Sequence, residues 1–208
     1  MAKPKVIQFV TTILLIGLLL SGCGEPNKID FPTGLKTGDL IFLRANRSEF
    51  WKAAGNRFGN IGIVMDNRGK QQVLSVNNNV RFIAIDEFTA RKRFEVRRLL
   101  NYDQYLHPGA IREIHMIAKR LLNTPEDREL AWDNSKFYSA ELVWKVYYEL
   151  LMMVELSKPG ISSDIDWTKP AIRNYMNQYM NGQVPKIQTL ILPDALYSSK
   201  LLETVYQR

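Results

Sequence analysis

The chain has 208 residues, 46% hydrophobic and 24% charged, with a formal net charge of +7. That balance suits one folded domain with its own core and excludes a disordered or low-complexity polymer. A single cysteine excludes a disulfide framework.

The first residues form a separate object. Lys3 and Lys5 make a basic start, Val6 to Leu20 is mostly apolar, and Leu20-Ser21-Gly22-Cys23 closes the run. A charged start, an apolar middle and small residues at the end is the order of an export signal. The rival is a permanent spanning helix, which needs about 20 apolar residues. This run is shorter and is broken by Gln8, Thr11 and Thr12. The tetrapeptide resembles the lipobox of bacterial lipoproteins, which implies cleavage before Cys23, acylation of its sulfur and a mature protein held at the membrane by lipid. Residue 24 is glycine rather than aspartate, which by the sorting rule of such lipoproteins implies the periplasmic face of the outer membrane in a source that has one. The expected organisation is a signal peptide over 1–22, a tether over 23–33 and one domain over 34–208. With Cys23 lipidated the domain has no thiol, so a cysteine nucleophile and a Cys-ligated metal site also drop out. No metal or cofactor is expected.

From Gly34 onward strands come first. Residues 38–44 (GDLIFLR), 61–66 (IGIVMD), 71–76 (QQVLSV), 80–85 (VRFIAI) and 94–99 (FEVRRL) are short runs rich in β-branched and aromatic residues, several alternating with period two. Asn67-Arg68-Gly69-Lys70 predicts a hairpin loop and Asn77-Asn78-Asn79 a second turn. A short helix from about Ser48 to Phe58, capped by Ser48, separates the first two strands. The order predicts an antiparallel sheet in an α+β layout. Arg91 to Arg98 (RKRFEVRR) is strongly basic. It reads as a solvated strand edge kept soluble by charge, ahead of a contact for an anionic surface. No base-stacking motif accompanies it, and nucleic acid is not an expected partner.

The second half is helical. Pro108 opens a helix with the stripe Ile111, Ile114, Ala118 and Leu121. After Phe137 a stronger stripe follows, Val143, Val146, Leu150 and Val154, and counting back from Val143 sets Ser139 at the helix start on the buried face. Segments 170–181 and 193–205 each begin near a proline and read as packing helices. Unpaired N–H groups and the positive end of the dipole gather at a helix N-terminus. Such a place favours an anionic nucleophile, and it equally favours a plain serine N-cap. Composition leaves the two open.

GDLIF at 38–42, NIGIVM at 60–65 and YSAELVWKVY at 138–147, in that order, resemble the circularly permuted papain-like family related to the NlpC-type cell-wall hydrolases, in its YiiX-type branch. The resemblance implies a papain-like sheet packed against helices and a cysteine peptidase or amidase ancestry. Its motifs carry a cysteine in YCSE, a histidine in SHxG and a glutamate in VxEA. The matching positions here are Ser139, Asn60 and Ser75. An asparagine amide cannot accept and return a proton, and a serine hydroxyl without a base is a poor nucleophile. The two histidines fall elsewhere, His107 in a loop and His115 at the flank of the Pro108 helix.

The expectation is a binding module using the old cleft, with Asn60, Ser75, Tyr138, Ser139 and Glu141 as candidate ligand contacts. Glu141 can face the cleft edge or suit the helix dipole, and Tyr138 and Trp144 suit the core. By resemblance the ligand is a peptide or peptidoglycan stem fragment, or a lipid-derived amide. The alternatives are a serine-dependent amidase, peptidase or acyltransferase using Ser139, and a structural envelope lipoprotein with a filled cleft. The oligomeric state is left open.

Overall fold

The computed structural model describes residues 34–46, 49–90, 92–132, 135–152 and 154–207. The expected signal peptide, the tether and Cys23 lie outside the described residues. No helix among the described residues is long and apolar enough to cross a membrane.

The expected strands form as β1 (Leu40–Arg44), β2 (Phe58–Asn67), β3 (Lys70–Asn77), β4 (Asn79–Ala84) and β5 (Phe94–Leu99). With β8 (Leu202–Gln207) they make one sheet in the order β4-β3-β2-β1-β5-β8, antiparallel throughout. The β2–β3 hairpin turns on Arg68 and Gly69, whose φ values of 58° and 78° are those of a two-residue primed turn. Asn78, at φ 62°, turns β3 into β4. A second, small pair joins β6 (Gly160–Ile161) to β7 (Thr189–Leu190).

Strand periodicity gives the sheet two apolar faces. Leu40, Phe42, Ile61, Ile63, Met65 and Leu74 belong to the main core with the helices, while Ile41, Leu43, Val64 and Val73 point the other way and are equally buried. A strand buried on both faces reads as a nearly continuous apolar run, which is what LIFL is. The helices are α1 (Phe50–Ala53), α2 (Ile85–Thr89), α3 (Tyr102–Tyr105), α4 (Pro108–Leu121), α5 (Ser139–Leu150), α6 (Pro170–Tyr179) and α7 (Pro193–Tyr197).

Gly38 and Gly62 explain two of the sequence blocks. Gly38 has φ +93°, and a Cβ there would lie 2.3 Å from Leu106 Cδ1, so only glycine fits. Its carbonyl accepts a hydrogen bond from the Tyr147 hydroxyl of α5. A Cβ on Gly62 would meet Val73 Cγ1 at 2.1 Å, so this glycine lets β3 pack closely.

Four expectations change. The first helix is a single turn, Phe50–Ala53, with Glu49 at its N-cap; Ser48 lies outside the described residues, and Phe58 already belongs to β2. Helix α5 stops at Leu150 and Val154 is exposed beyond it. Segment 193–205 is the short helix α7 followed by β8. The β-branched and aromatic residues Thr204, Val205 and Tyr206 suit a strand, and β5 supplies the pairing edge.

The basic run, finally, is not a solvated edge, because β5 lies between β1 and β8. Arg98 reaches the fully buried Asp39 with Nε and Nη2, both at 2.7 Å, and the Lys36 N–H donates to the same carboxylate. Arg97 donates to the Leu202 carbonyl of β8. These side chains staple strands together. Arg98→Leu strands the Asp39 charge inside the protein and is expected to lower the unfolding free energy by about 3–5 kcal/mol. Urea denaturation reads this, and adding Asp39→Asn should recover part of the loss.

Candidate functional site

The candidate site begins where β2 and β3 part. Their ladder runs from Asn67–Lys70 to Ile63–Leu74 and stops. Continued pairing would set Ile61 opposite Val76; instead Val76 lines a cavity. Ile61 is thereby left with backbone groups that the ladder does not serve, and two serines serve them. The Ile61 N–H donates to Ser139 Oγ at 3.3 Å, and the Ser75 hydroxyl donates to the Ile61 carbonyl at 2.7 Å. The Ser75 hydroxyl also lies 3.2 Å from Asn60 Oδ1. One hydroxyl proton serves one acceptor, so the shorter bond takes it, and the Asn60 amide turned end for end would present its NH₂ to the Ser75 oxygen.

Asn60, Ser75 and Ser139 are thus gathered around one residue, although 78 positions separate Ile61 from Ser139. Ser139 is the first residue of α5, and Tyr138 holds the N-cap position without a side-chain cap bond. The plain N-cap reading of Ser139 is therefore overturned: its hydroxyl accepts from the sheet, at the Ile61 N–H. Ser75 is fully buried beneath Asn60 and does not line the cavity.

The cavity over Ser139 has a volume of about 380 Å³, within the range of small-molecule sites. The filled cleft of a purely structural protein is not what is seen. Asn60, Tyr138 and Ser139 line it together with Phe50, Trp51, Tyr175 and Tyr179, and with Glu49, Lys92, Glu126 and Asp127. A second cavity of about 340 Å³ shares Asn60, Val76, Lys92 and Glu126. Sequence reasoning missed the charged wall. Glu126 and Asp127 fall in a stretch without regular periodicity between α4 and α5, and Tyr175 and Tyr179 sit on a helix taken for packing. Only the one-turn spacing of the two tyrosines was a signal.

The other candidates have different surroundings or partners. Glu141 is fully buried and outside the cavity lining, so it does not face the cleft edge. The Tyr138 hydroxyl accepts from the Ile191 N–H at 2.8 Å, and burial raises its pKa well above the ordinary value. His107 caps α4, its Nδ1 accepting from the Gly109 and Ala110 N–H groups. His115 is half-buried, and burial lowers its pKa. Neither histidine lines the two cavities.

The sequence profile of the permuted papain-like amidase enzymes, YaeF/YiiX, C92 family, matches residues 34–206. The chain belongs to this family. It is 24% identical over 179 residues to the uncharacterized protein YiiX of Escherichia coli strain K12, covering 82% of this chain and 85% of that protein. It is similar in fold to the crystal structure of metalloprotein yiiX from Escherichia coli O157:H7, with a TM-score of 0.74 and 23% identity over 83% of this chain and 97% of that one. The metal belongs to that protein's description. Among the described residues here no group of three or more His, Cys, Asp or Glu is placed to hold a metal ion.

In this family member the first turn of α5 also buries a titrating group. Burial raises the Glu141 carboxyl from 4.5 to about 7, with Lys145 acting against the rise and Asp127 adding to it; Lys145 Nζ lies 2.9 Å from Glu141 Oε1. Because the folded value exceeds the unfolded one, the native protein keeps a proton that the unfolded chain releases. The stability this proton contributes is fully present below about pH 4.5 and is lost as pH rises through about 7, a change on the order of 3 kcal/mol. Glu141→Gln should flatten that decline, so that its stability relative to wild type rises between pH 4.5 and 8. Urea denaturation at several pH values across this range measures the difference.

Proposed function

We propose that this chain is a lipid-anchored, non-catalytic member of the permuted papain-like amidase family, which binds its ligand in the cleft over Ser139. The observation that carries the reading is the hydrogen bond from the Ile61 N–H to the Ser139 hydroxyl, in a cavity whose lining offers the Asn60 amide and no imidazole. A hydroxyl becomes a useful nucleophile when a base takes its proton, and a neutral amide does not act as that base. The members of a nucleophile–base pair act jointly, so loss of the base typically costs about four powers of ten in rate. The cavity remains open and aromatic-walled, which supports retained binding. Peptides, peptidoglycan stem fragments and lipid-derived amides are the ligand classes that the family's amide chemistry suggests. The Leu20-Ser21-Gly22-Cys23 tetrapeptide supports anchoring through lipid on Cys23, in the cell envelope and at the outer membrane of a source with two membranes.

Two measurements test this. Wild type and Ser139→Ala, both checked for folding by circular dichroism, are expected to show the same negligible turnover of peptidoglycan-derived peptides and of generic amide and ester substrates. Wild-type turnover that vanishes in Ser139→Ala would promote a serine-dependent amidase instead. Growth with a fatty-acid analogue should label the wild type and leave Cys23→Ala unlabelled; an unlabelled wild type would refute the anchor.

A further inference from the structure

The cleft lies at one end of the main sheet, and the chain enters the domain at the other. Strand β1 begins with Leu40 opposite Ile63 and reaches the cleft with Leu43 opposite Asn60. Helix α5 runs the other way, from Ser139 beside Ile61 to Tyr147 beside Gly38, and the Gly38 N–H in turn donates to the Val64 carbonyl. The C-terminal end of α5 therefore sits where residue 34 enters, at the end of the sheet that also holds the Arg68 and Gly69 hairpin, α3 and the start of β8.

One residue at this end is held against both its backbone and its side-chain preference. Leu151 is the C-cap of α5, so Met152 takes the next position, where helices commonly place a left-handed glycine. Met152 has φ 51°, and it is 89% exposed. A left-handed backbone is costly for a residue with a Cβ, and exposure forgoes the burial of a long apolar side chain. A position that carries both costs points to a contact the domain does not make by itself. Val154, Leu100 and Tyr105 are further exposed apolar residues at the same end.

The covalent connection selects the partner. Ten residues lie between Cys23 and Gly34, and such a segment spans at most about 40 Å, so lipid on Cys23 keeps this end of the domain within that reach of a bilayer. The exposed charges here are Lys36, Arg68, Lys70 and Lys200 against Asp66, Asp103 and Glu203, a balance that an anionic headgroup layer does not repel. An apolar tip flanked by an aromatic ring and basic side chains suits a lipid interface.

We infer that this end of the domain is a membrane-docking face, which sets Met152 and Val154 into the lipid surface beside the tether and turns the cleft over Ser139 away from the bilayer. This rests on the lipid anchor proposed above and names a second membrane contact and the orientation it imposes. The cleft then takes its ligand from the aqueous side.

Cysteine labelling tests this on the full-length acylated protein, because Cys23 is the chain's only cysteine and its sulfur carries the lipid. Met152→Cys and Lys52→Cys, the latter exposed on α1 at the cleft end, each take one environment-sensitive dye. The proteins are reconstituted into vesicles of phosphatidylethanolamine and phosphatidylglycerol that carry nitroxide-labelled acyl chains. The dye at Met152 should lose severalfold more fluorescence to the nitroxide than the dye at Lys52. With the dye moved to Val154→Cys, adding Met152→Gly should weaken the quenching while it keeps or raises the urea midpoint, since glycine suits that backbone; a purely structural methionine would lose stability and leave the quenching unchanged. Equal quenching at Met152 and Lys52, or stronger quenching at Lys52, overturns the inference. A Met152 dye shielded from aqueous iodide yet out of reach of the nitroxide would mean that a protein covers the tip, and overturns it too. Fatty-acid labelling of the same preparation reports the anchor separately: without an acyl chain both readings fall, whereas acylated protein with an unquenched Met152 dye removes the orientation alone.

Discussion

Helix α5 is held on the sheet by one hydrogen bond near each end, and most of the architecture follows from that clasp. Toward its C-terminal end the buried Tyr147 hydroxyl donates to the Gly38 carbonyl; at its N-terminus the Ser139 hydroxyl accepts from Ile61. Between them Leu142, Val143 and Val146 are fully buried. A helix held at two points cannot slide or turn along the strands without stranding buried polar groups. The Tyr138 hydroxyl extends the same logic to the C-terminal segment by accepting from Ile191. The helix start is therefore fixed beside the parting of β2 and β3, where the cleft opens.

Buried charge is handled in two different ways. Asp39 is satisfied from several sides, by the Lys36 N–H and two Arg98 nitrogens, so it joins β5 to the start of β1. Glu141 has the nearby Lys145 ammonium, yet burial outweighs it and raises the carboxyl pKa to about 7. The first arrangement is a staple between strands. The second is a group retained at some cost to stability, one turn behind the cleft wall, where its charge also bears on Tyr138.

The chemistry available at the cleft follows from what each polar group is already doing. Ser139 and Ser75 serve the backbone of Ile61, and Asn60 is turned to Ser75. No imidazole lies among these groups, and aromatic rings and carboxylates line the cavity beside them. A papain-like scaffold can keep its cleft while its polar residues are used for support, since cleft shape depends on helix and strand placement and reaction depends on a few side chains.

The sequence by itself determined the strands β1 to β5, the hairpin at Arg68 and Gly69, the starts of α4, α5 and α6, and the blocks around Gly38, Gly62 and Ser139 that mark the family. These are signals of local spacing: period two on a half-buried strand, three to four on a helix face, and proline or glycine where the backbone demands it. Tertiary structure alone decided that β5 is interior, that Leu202 to Gln207 pairs as a strand, that Glu141 is sealed in, and that Glu126, Asp127, Tyr175 and Tyr179 wall the cleft. The reason is the range of the contacts. A strand's place in a sheet depends on a partner edge, as with β5 and β8, which lie about a hundred residues apart. A serine hydroxyl's role likewise depends on which backbone group is left unpaired near it, and the parting of β2 from β3 that frees Ile61 has no local signature in the chain.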